Sequence, residues 1–97
     1  MSLIQLDQQF NQSVEDVNKL VKRPSNEDLL KLYGFYKQGL FGSNKEQKPN
    51  FFDFKSKAKF EAWDKVKTLS KIMAKKEYIN LVEELKLTYG FYKNFNY

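Results

Sequence analysis

Residues 25–42 read SNEDLLKLYGFYKQGLFG and carry the start, the body and the end of one helix. Ser25 follows a proline and is a preferred N-cap residue, with Asp28 completing a weak capping box. Gly42 is a residue type that commonly ends helices. Between these ends, apolar side chains recur at i, i+4, i+7 and i+11, namely Leu29, Tyr33, Tyr36 and Leu40. This period predicts an amphipathic helix that buries one face.

Three more helices are predicted from the same periodicity. The first runs from about residue 7 to 22, the third from about 56 to 68, and the fourth from the Ser70 N-cap to Gly90. With no strand alternation and one long connection over residues 42–53, the sequence predicts an all-α four-helix bundle with a crossover. The first and fourth helices are predicted to pack together through stripes of similar size, Phe10, Val14, Val17 and Leu20 against Tyr78, Ile79, Val82 and Leu85.

Composition excludes most enzyme chemistry. The chain has 97 residues, enough for one domain, and contains no cysteine and no histidine. Disulfides, thiolate nucleophiles and the commonest zinc ligands are therefore absent, and no nucleophile and base can be paired. The sequence predicts a protein that is not an enzyme and has no catalytic residue, cofactor or metal. With no run of about 18 apolar residues and no secretory pattern at its start, it is expected to be cytoplasmic.

Charge is concentrated in the middle of the chain. The formal net charge is +5, and residues 45–76 carry ten lysines against four acidic residues. This excess favours an anionic partner. Arg23 is the only arginine, and proteins that read base edges favour arginine. The charge pattern therefore leans away from sequence-specific nucleic-acid recognition, although a lysine-rich solvated surface is also consistent with it.

Two groups of side chains suggest a ligand with phosphates, a base and an apolar part. Tyr33, Tyr36 and Lys37 stand at i, i+3 and i+4, so two rings and an ammonium are expected on one side of the second helix, just before Gln38. Spacing alone favours the simpler interpretation that both tyrosines are core residues with their hydroxyls at the rim. Lys55 and Lys59 form an i, i+4 pair with Trp63 one turn further on, which alone is typical of a solvated face.

The full set of spaced residues is more specific than either group alone. It comprises Tyr33-Gly34-Phe35-Tyr36-Lys37-Gln38, Gly42, Pro49, Asp53-Phe54-Lys55, Lys57 to Trp63, Ser70, Tyr78-Ile79, Val82, Leu85 and Tyr89-Gly90. Through about residues 7–90 the chain resembles the acyl-CoA-binding protein family. The resemblance implies an up-down-down-up bundle with a long loop between helices two and three. It divides the chain into an acyl-CoA-binding domain, residues 1–90, and a loosely attached C-terminal extension, residues 91–97.

The resemblance also implies a function. A family member binds medium- to long-chain acyl-CoA without a covalent bond, protects the thioester and carries the ester within the cell, as a monomer that meets acyl-CoA-using enzymes transiently. Such a protein has no nucleic-acid partner and no stable membrane insertion. Two alternatives are a basic nucleic-acid-binding module, whose affinity falls steeply with salt, and a lipid-surface module. The second needs a spare apolar face, whereas the apolar stripes are expected to be used in the core.

Site residues are carried over from the family motif position by position. Tyr36 matches the tyrosine that stacks on adenine, while Tyr33, Lys37 and Lys59 match the residues that hold the 3′-phosphate of the ribose. The other implied contacts are the motif residues Gly34 and Phe35, the fourth-helix Tyr78, the basic Lys55, and Asn18 at a position where well-known members have lysine. Since Asn18 has no charge, Lys22 or Arg23 is a candidate for supplying the positive charge that the family lysine carries.

Overall fold

A computed structural model describes residues 1–50 and 52–92 as a four-helix bundle. Its helices are α1, Leu3–Val17; α2, Asn26–Phe41; α3, Phe54–Asp64; and α4, Lys71–Tyr89. In the described residues, no helix is both long enough and apolar enough to cross a bilayer. Residues 93–97 of the predicted extension lie outside the described residues, as does residue 51.

Ion pairs and close contacts fix the helix directions. Asp7 Oδ1 lies 2.6 Å from Lys75 Nζ, and Asp16 Oδ2 lies 2.8 Å from Lys86 Nζ, so α1 and α4 run parallel. The Tyr89 hydroxyl at the end of α4 meets the backbone N–H of Ser25 at the start of α2, which runs antiparallel to α4. Lys59 lies beside Tyr33 and Trp63 beside Gln38, so α3 runs parallel to α2; the order is up-down-down-up, which confirms the expected fold.

The Asp16–Lys86 pair holds the end of α1 against α4. Burial of Asp16 opposes its ionisation, but hydrogen bonds from Lys86 and Gln12 outweigh burial and keep the pKa of the carboxyl below its ordinary value. The pair is nearly buried on both sides, with the Asp16 side chain 8% and the Lys86 side chain 17% exposed. Removing Lys86 would leave the Asp16 carboxylate buried without its cation, whereas Lys86 also pairs with Glu83 at 3.1 Å.

The predicted ends of α2 and α4 are confirmed, because their caps form. Ser25 and Ser70 each accept a hydrogen bond from a backbone N–H in the first turn, and Gly42 and Gly90 end the helices at positive φ. In the predicted capping box of α2, the second hydrogen bond, from the Ser25 backbone N–H to the Asp28 side chain, does not form. The Ser25 N–H instead donates to the Tyr89 hydroxyl, which donates in turn to Asp28 Oδ2 at 2.7 Å.

The predicted bounds of α1 and α3 were wrong. A capping box between Ser2 and Gln5 starts α1 at Leu3. The helix ends at Val17, and the N–H groups of Val21 and Lys22 bond to the carbonyls of Gly90 and Tyr89 at the end of α4 instead. Asp53 caps α3 and starts it at Phe54, two residues early, and residues 65–69 form turns with i to i+3 bonds. In both helices, capping and backbone hydrogen bonds, which the period of apolar residues does not reveal, determine where the helix begins and ends.

The core confirms the predicted pairing of the first and fourth helices. Its buried cluster joins α1, α2 and α4 and consists of Phe10, Leu32, Tyr78, Val82 and Leu85, with Val14, Val17, Leu20 and Ile79 packed against it. The helix α2 also packs on α3. The core thus ties the two helices of the predicted site to a rigid α1–α4 pair.

Leu85→Ala tests this core. Because Leu85 is 3% exposed, its truncation should lower the free energy of unfolding by roughly 2–5 kcal/mol. Urea denaturation measures the change, and Leu87→Ala is the matched control, since Leu87 is 90% exposed on the same helix. A loss below about half a kcal/mol for Leu85→Ala would count against the packing described here.

Candidate ligand-binding site

Gly34 and Ala62 bring α2 and α3 together without intervening side chains. A Cβ built on Gly34 would lie 2.4 Å from the carbonyl oxygen of Ala62, so only glycine fits at this crossing. Ala62 is itself a small residue, which permits this close approach of the two helices. On the N-terminal side of the crossing, a cavity separates the two helices.

This first cavity has an apolar floor and a basic rim. Its volume is about 470 Å³, and its lining is Arg23, Asn26, Leu29, Leu30, Tyr33, Phe54, Lys55, Ala58 and Lys59. Three of these residues are cations and none is acidic. A second cavity of about 400 Å³ lies between the same helices and shares Leu30 and Ala58 with the first. The pair forms an apolar groove along the α2–α3 contact.

Two ammonium groups converge on the ring of Tyr33. Lys37 Nζ lies 6.0 Å and Lys59 Nζ 5.5 Å from its centroid. Lys37 also lies 4.9 Å from the ring of Trp63. Within residues 1–50 and 52–92, neither lysine has a carboxylate within ion-pair distance. The predicted group of Tyr33, Lys37 and Lys59 is therefore assembled, and its charge is available to an anion.

The Tyr33 hydroxyl remains a hydrogen-bond donor at neutral pH. Partial burial, and then the nearby carboxylate of Glu46, raise the pKa of Tyr33 above its ordinary value. A neutral phenol beside two ammonium groups offers three donors to a phosphate, one neutral and two charge-assisted.

Tyr36 belongs to a different cluster from Tyr33. Its ring stacks on that of Phe10, with the ring centroids 5.9 Å apart, and is tilted against that of Tyr78, with the centroids 6.2 Å apart. Tyr78 is 5% exposed, and burial followed by the neighbouring Tyr36 raises its pKa to about 12. The structure thus brings Tyr36 and Tyr78 together, while Tyr36 is half-buried and Tyr33 faces the lysines. Phe10 was expected only as core, and the spacing gave no signal for its contact with Tyr36.

The other predicted site residues, Lys55, Phe35 and Asn18, lie in three different parts of the molecule. Lys55 is exposed on the rim of the first cavity, next to the α3 turn that carries Lys59. Phe35 lines the second cavity and packs against the core. Asn18 is exposed at the C-cap of α1; of the two candidates for supplying its missing charge, Arg23 lines the first cavity and Lys22 does not.

Gln38 has a structural role that the sequence did not reveal. It is 1% exposed, donates to the Leu69 carbonyl at 2.7 Å and accepts from the Trp63 indole N–H at 3.2 Å. These bonds connect α2, α3 and the segment before α4. Gln38 therefore fixes the frame that carries Lys37 and Trp63.

Comparisons with known proteins agree with this architecture. The model of the family described as "Acyl CoA binding protein" matches residues 7–82. An acyl-CoA-binding protein homolog of Caenorhabditis elegans is 49% identical over 81 residues, covering 84% of this chain and 94% of the relative. The acyl-CoA-binding protein of Saccharomyces cerevisiae is 42% identical over 85 residues, covering 88% and 98%.

Solved structures show the same fold. The crystal structure of Oryza sativa acyl-CoA-binding protein 2 superposes with a TM-score of 0.84 at 35% identity, covering 88% of this chain and 92% of the other. The solution structure of the yeast acyl-coenzyme A binding protein gives a TM-score of 0.68 at 42% identity, covering 87% and 98%.

Proposed function

The chain belongs to the acyl-CoA-binding protein family, and from this premise we propose how its groove binds and carries medium- to long-chain acyl-CoA. One observation supports the proposal most strongly. The Tyr33, Lys37 and Lys59 cluster adjoins an apolar groove, so a single ligand with a phosphorylated nucleotide and a hydrocarbon can contact both.

The nucleotide is proposed to bind at the aromatic and basic end. Lys37 and Lys59 contact the 3′-phosphate beside the Tyr33 hydroxyl, and Tyr36 stacks on adenine with Tyr78 behind it. Gly34, Phe35 and Asn18 complete the proposed site: Gly34 by holding α2 on α3, Phe35 through the second cavity, and Asn18 as a neutral donor. Lys55 supplies charge at the cavity rim, and Arg23 supplies the charge that the family lysine would carry.

The hydrocarbon is proposed to lie in the groove formed by the two cavities. Leu29, Leu30 and Ala58 line its apolar part. Burying a methylene contributes about 0.8 kcal/mol, so sheltering half of a sixteen-carbon chain contributes roughly 6 kcal/mol before ordering costs. Affinity therefore rises with the length of the acyl chain, whereas the nucleotide contacts contribute equally at every chain length.

Release rather than reaction is the proposed fate of the ligand. The chain contains no cysteine and no histidine, and no pair of nucleophile and base lies on the groove lining. We propose a cytoplasmic monomer, built as a 1–90 domain with a short extension, that passes acyl-CoA transiently to enzymes. It needs no cofactor, metal or nucleic acid for this role.

Calorimetry with palmitoyl-CoA and with a DNA oligomer tests this function. We expect one palmitoyl-CoA per chain, with affinity that rises with acyl length, and no saturable binding of DNA at physiological salt. Tight DNA binding that falls steeply with salt, together with indifference to acyl length, would support the nucleic-acid alternative and contradict the proposal.

A further inference from the structure

Phe41, the last residue of α2, is an exposed aromatic residue outside both the core and the groove. Its side chain is 60% exposed and lines neither of the two cavities that form the groove. It borders a third cavity of about 500 Å³, whose lining is Lys37, Phe41, Ser43, Lys45, Glu46 and Trp63. A single exposed ring needs no function by itself, so its contacts decide what it does.

The contact that matters is with the ammonium group of Lys37. Phe41 follows Lys37 by one turn of α2, at the i, i+4 spacing. Lys37 Nζ lies 4.6 Å from the ring centroid of Phe41 and 4.9 Å from that of Trp63. Cation–π attraction acts within about 6 Å of a ring centroid, so both rings attract the ammonium. The centroid of Tyr33, at 6.0 Å, is further away than either.

Trp63 gives this arrangement a fixed side. It is 5% exposed, and its indole N–H donates to the Gly42 carbonyl oxygen at 2.8 Å and to the Gln38 side-chain oxygen at 3.2 Å. The rings of Phe41 and Trp63 have centroids 6.2 Å apart and are tilted by 50°. The Lys37 ammonium therefore lies between a buried, hydrogen-bonded ring and an exposed one, and only the exposed ring can be changed without disturbing the core.

The rings also compete with an acid. Glu46 lines the third cavity, and it lies close enough to Tyr33 to add to the effect of burial on the pKa of that hydroxyl. Lys37 nevertheless forms no ion pair with Glu46 or with any other acid among the residues that the structure describes. A lysine paired with a carboxylate must give up that pair before it can bind a phosphate, whereas contacts with ring faces leave its N–H donors available.

We propose that Phe41 is a positioning residue, which together with Trp63 holds the Lys37 ammonium in place for the 3′-phosphate of the ligand. That place is beside Tyr33 and away from Glu46. A long side chain that is in position before the ligand arrives loses less conformational freedom on binding, which raises affinity. The inference rests on the proposed function, since it adds a residue that sets the affinity for the same ligand.

Calorimetry with palmitoyl-CoA tests the proposal on the full chain. Phe41→Leu keeps an apolar side chain but removes the ring, and it should weaken binding about fivefold. Phe41→Tyr keeps the ring and should bind as wild type does. Phe52→Leu is the matched control, because it removes a 78% exposed ring that lines none of the three cavities. Its affinity should stay within about twofold of wild type.

Three further measurements distinguish positioning from a general structural effect. Palmitoyl-CoA without the 3′-phosphate should bind wild type and Phe41→Leu equally. In a Lys37→Ala background, Phe41→Leu should cause no additional loss, because its effect acts through Lys37. By nuclear magnetic resonance without ligand, ring currents should shift the Lys37 ε-proton signals upfield in wild type, and less so in Phe41→Leu.

Equal affinity of wild type and Phe41→Leu for palmitoyl-CoA would overturn this inference alone. An equal loss with the ester that lacks the 3′-phosphate would also overturn it, as would an undiminished loss in the Lys37→Ala background. Failure of wild type to bind palmitoyl-CoA at all would contradict the proposed function, and this inference with it, so the two failures are distinguishable.

Discussion

Lys37→Ala/Lys59→Ala is expected to lower affinity for palmitoyl-CoA by about 100-fold or more. Each charge-assisted hydrogen bond to phosphate contributes roughly 1.5–3 kcal/mol, and each 1.4 kcal/mol is tenfold in the dissociation constant. Both ammonium groups lie near the Tyr33 ring and have no ion-pair partner within the described part of the chain. Their loss therefore removes ligand contacts without leaving an unpaired buried acid.

The loss should be equal for octanoyl-CoA and palmitoyl-CoA, because the lysines contact only the nucleotide. Calorimetry with both esters measures it. Lys67→Ala/Lys76→Ala removes the same charge from two exposed lysines outside the groove and should change affinity less than threefold. A Lys37/Lys59 loss that affected only the long-chain ester would contradict the assignment of these residues to phosphate.

Phe10→Ala is expected to have the largest effect on folding, a loss of about 3–5 kcal/mol in the free energy of unfolding. Phe10 is 2% exposed, and its ring centroid lies 5.1 Å from that of Tyr78 and 5.9 Å from that of Tyr36. Its removal therefore leaves a cavity between three helices. In a chain of this size, such a loss lowers the melting temperature by about 15 °C or more.

Urea and thermal denaturation measure the effect of Phe10→Ala. Phe10→Leu, which keeps most of the apolar volume, should lose clearly less stability than Phe10→Ala. A Phe10→Ala protein within about 1 kcal/mol of wild type would show that the aromatic cluster does not hold α1 on the bundle. Since Phe10 supports Tyr36, residual folded Phe10→Ala should also bind palmitoyl-CoA more weakly.

Local signals in the sequence predicted the helices whose ends are set locally. The caps at Ser25, Gly42, Ser70 and Gly90 depend on neighbouring residues, and they form as expected. The end of α1 is set from a distance. The Val21 and Lys22 N–H groups bond to the carbonyls of residues 90 and 89, which no period in residues 7–22 could reveal.

The candidate site was likewise predictable only in part from the sequence. The family resemblance implied that Tyr33, Lys37 and Lys59 act together, and the structure brings them together. Spacing alone did not separate Tyr36 from Tyr33, because the two positions lie about 60° apart on a helix and each meets a different neighbour. The contact of Tyr36 with Phe10 requires the packing of α1 on α4, which is a tertiary property.

The central claim is that one site recognises a nucleotide and a hydrocarbon together. Calorimetry of the purified chain with palmitoyl-CoA, plain coenzyme A and palmitate tests it most directly. We expect palmitoyl-CoA to bind at one per chain and at least about 100-fold more tightly than either of the others, since each lacks one half of the contacts. Equal affinity for palmitoyl-CoA and plain coenzyme A would contradict the account.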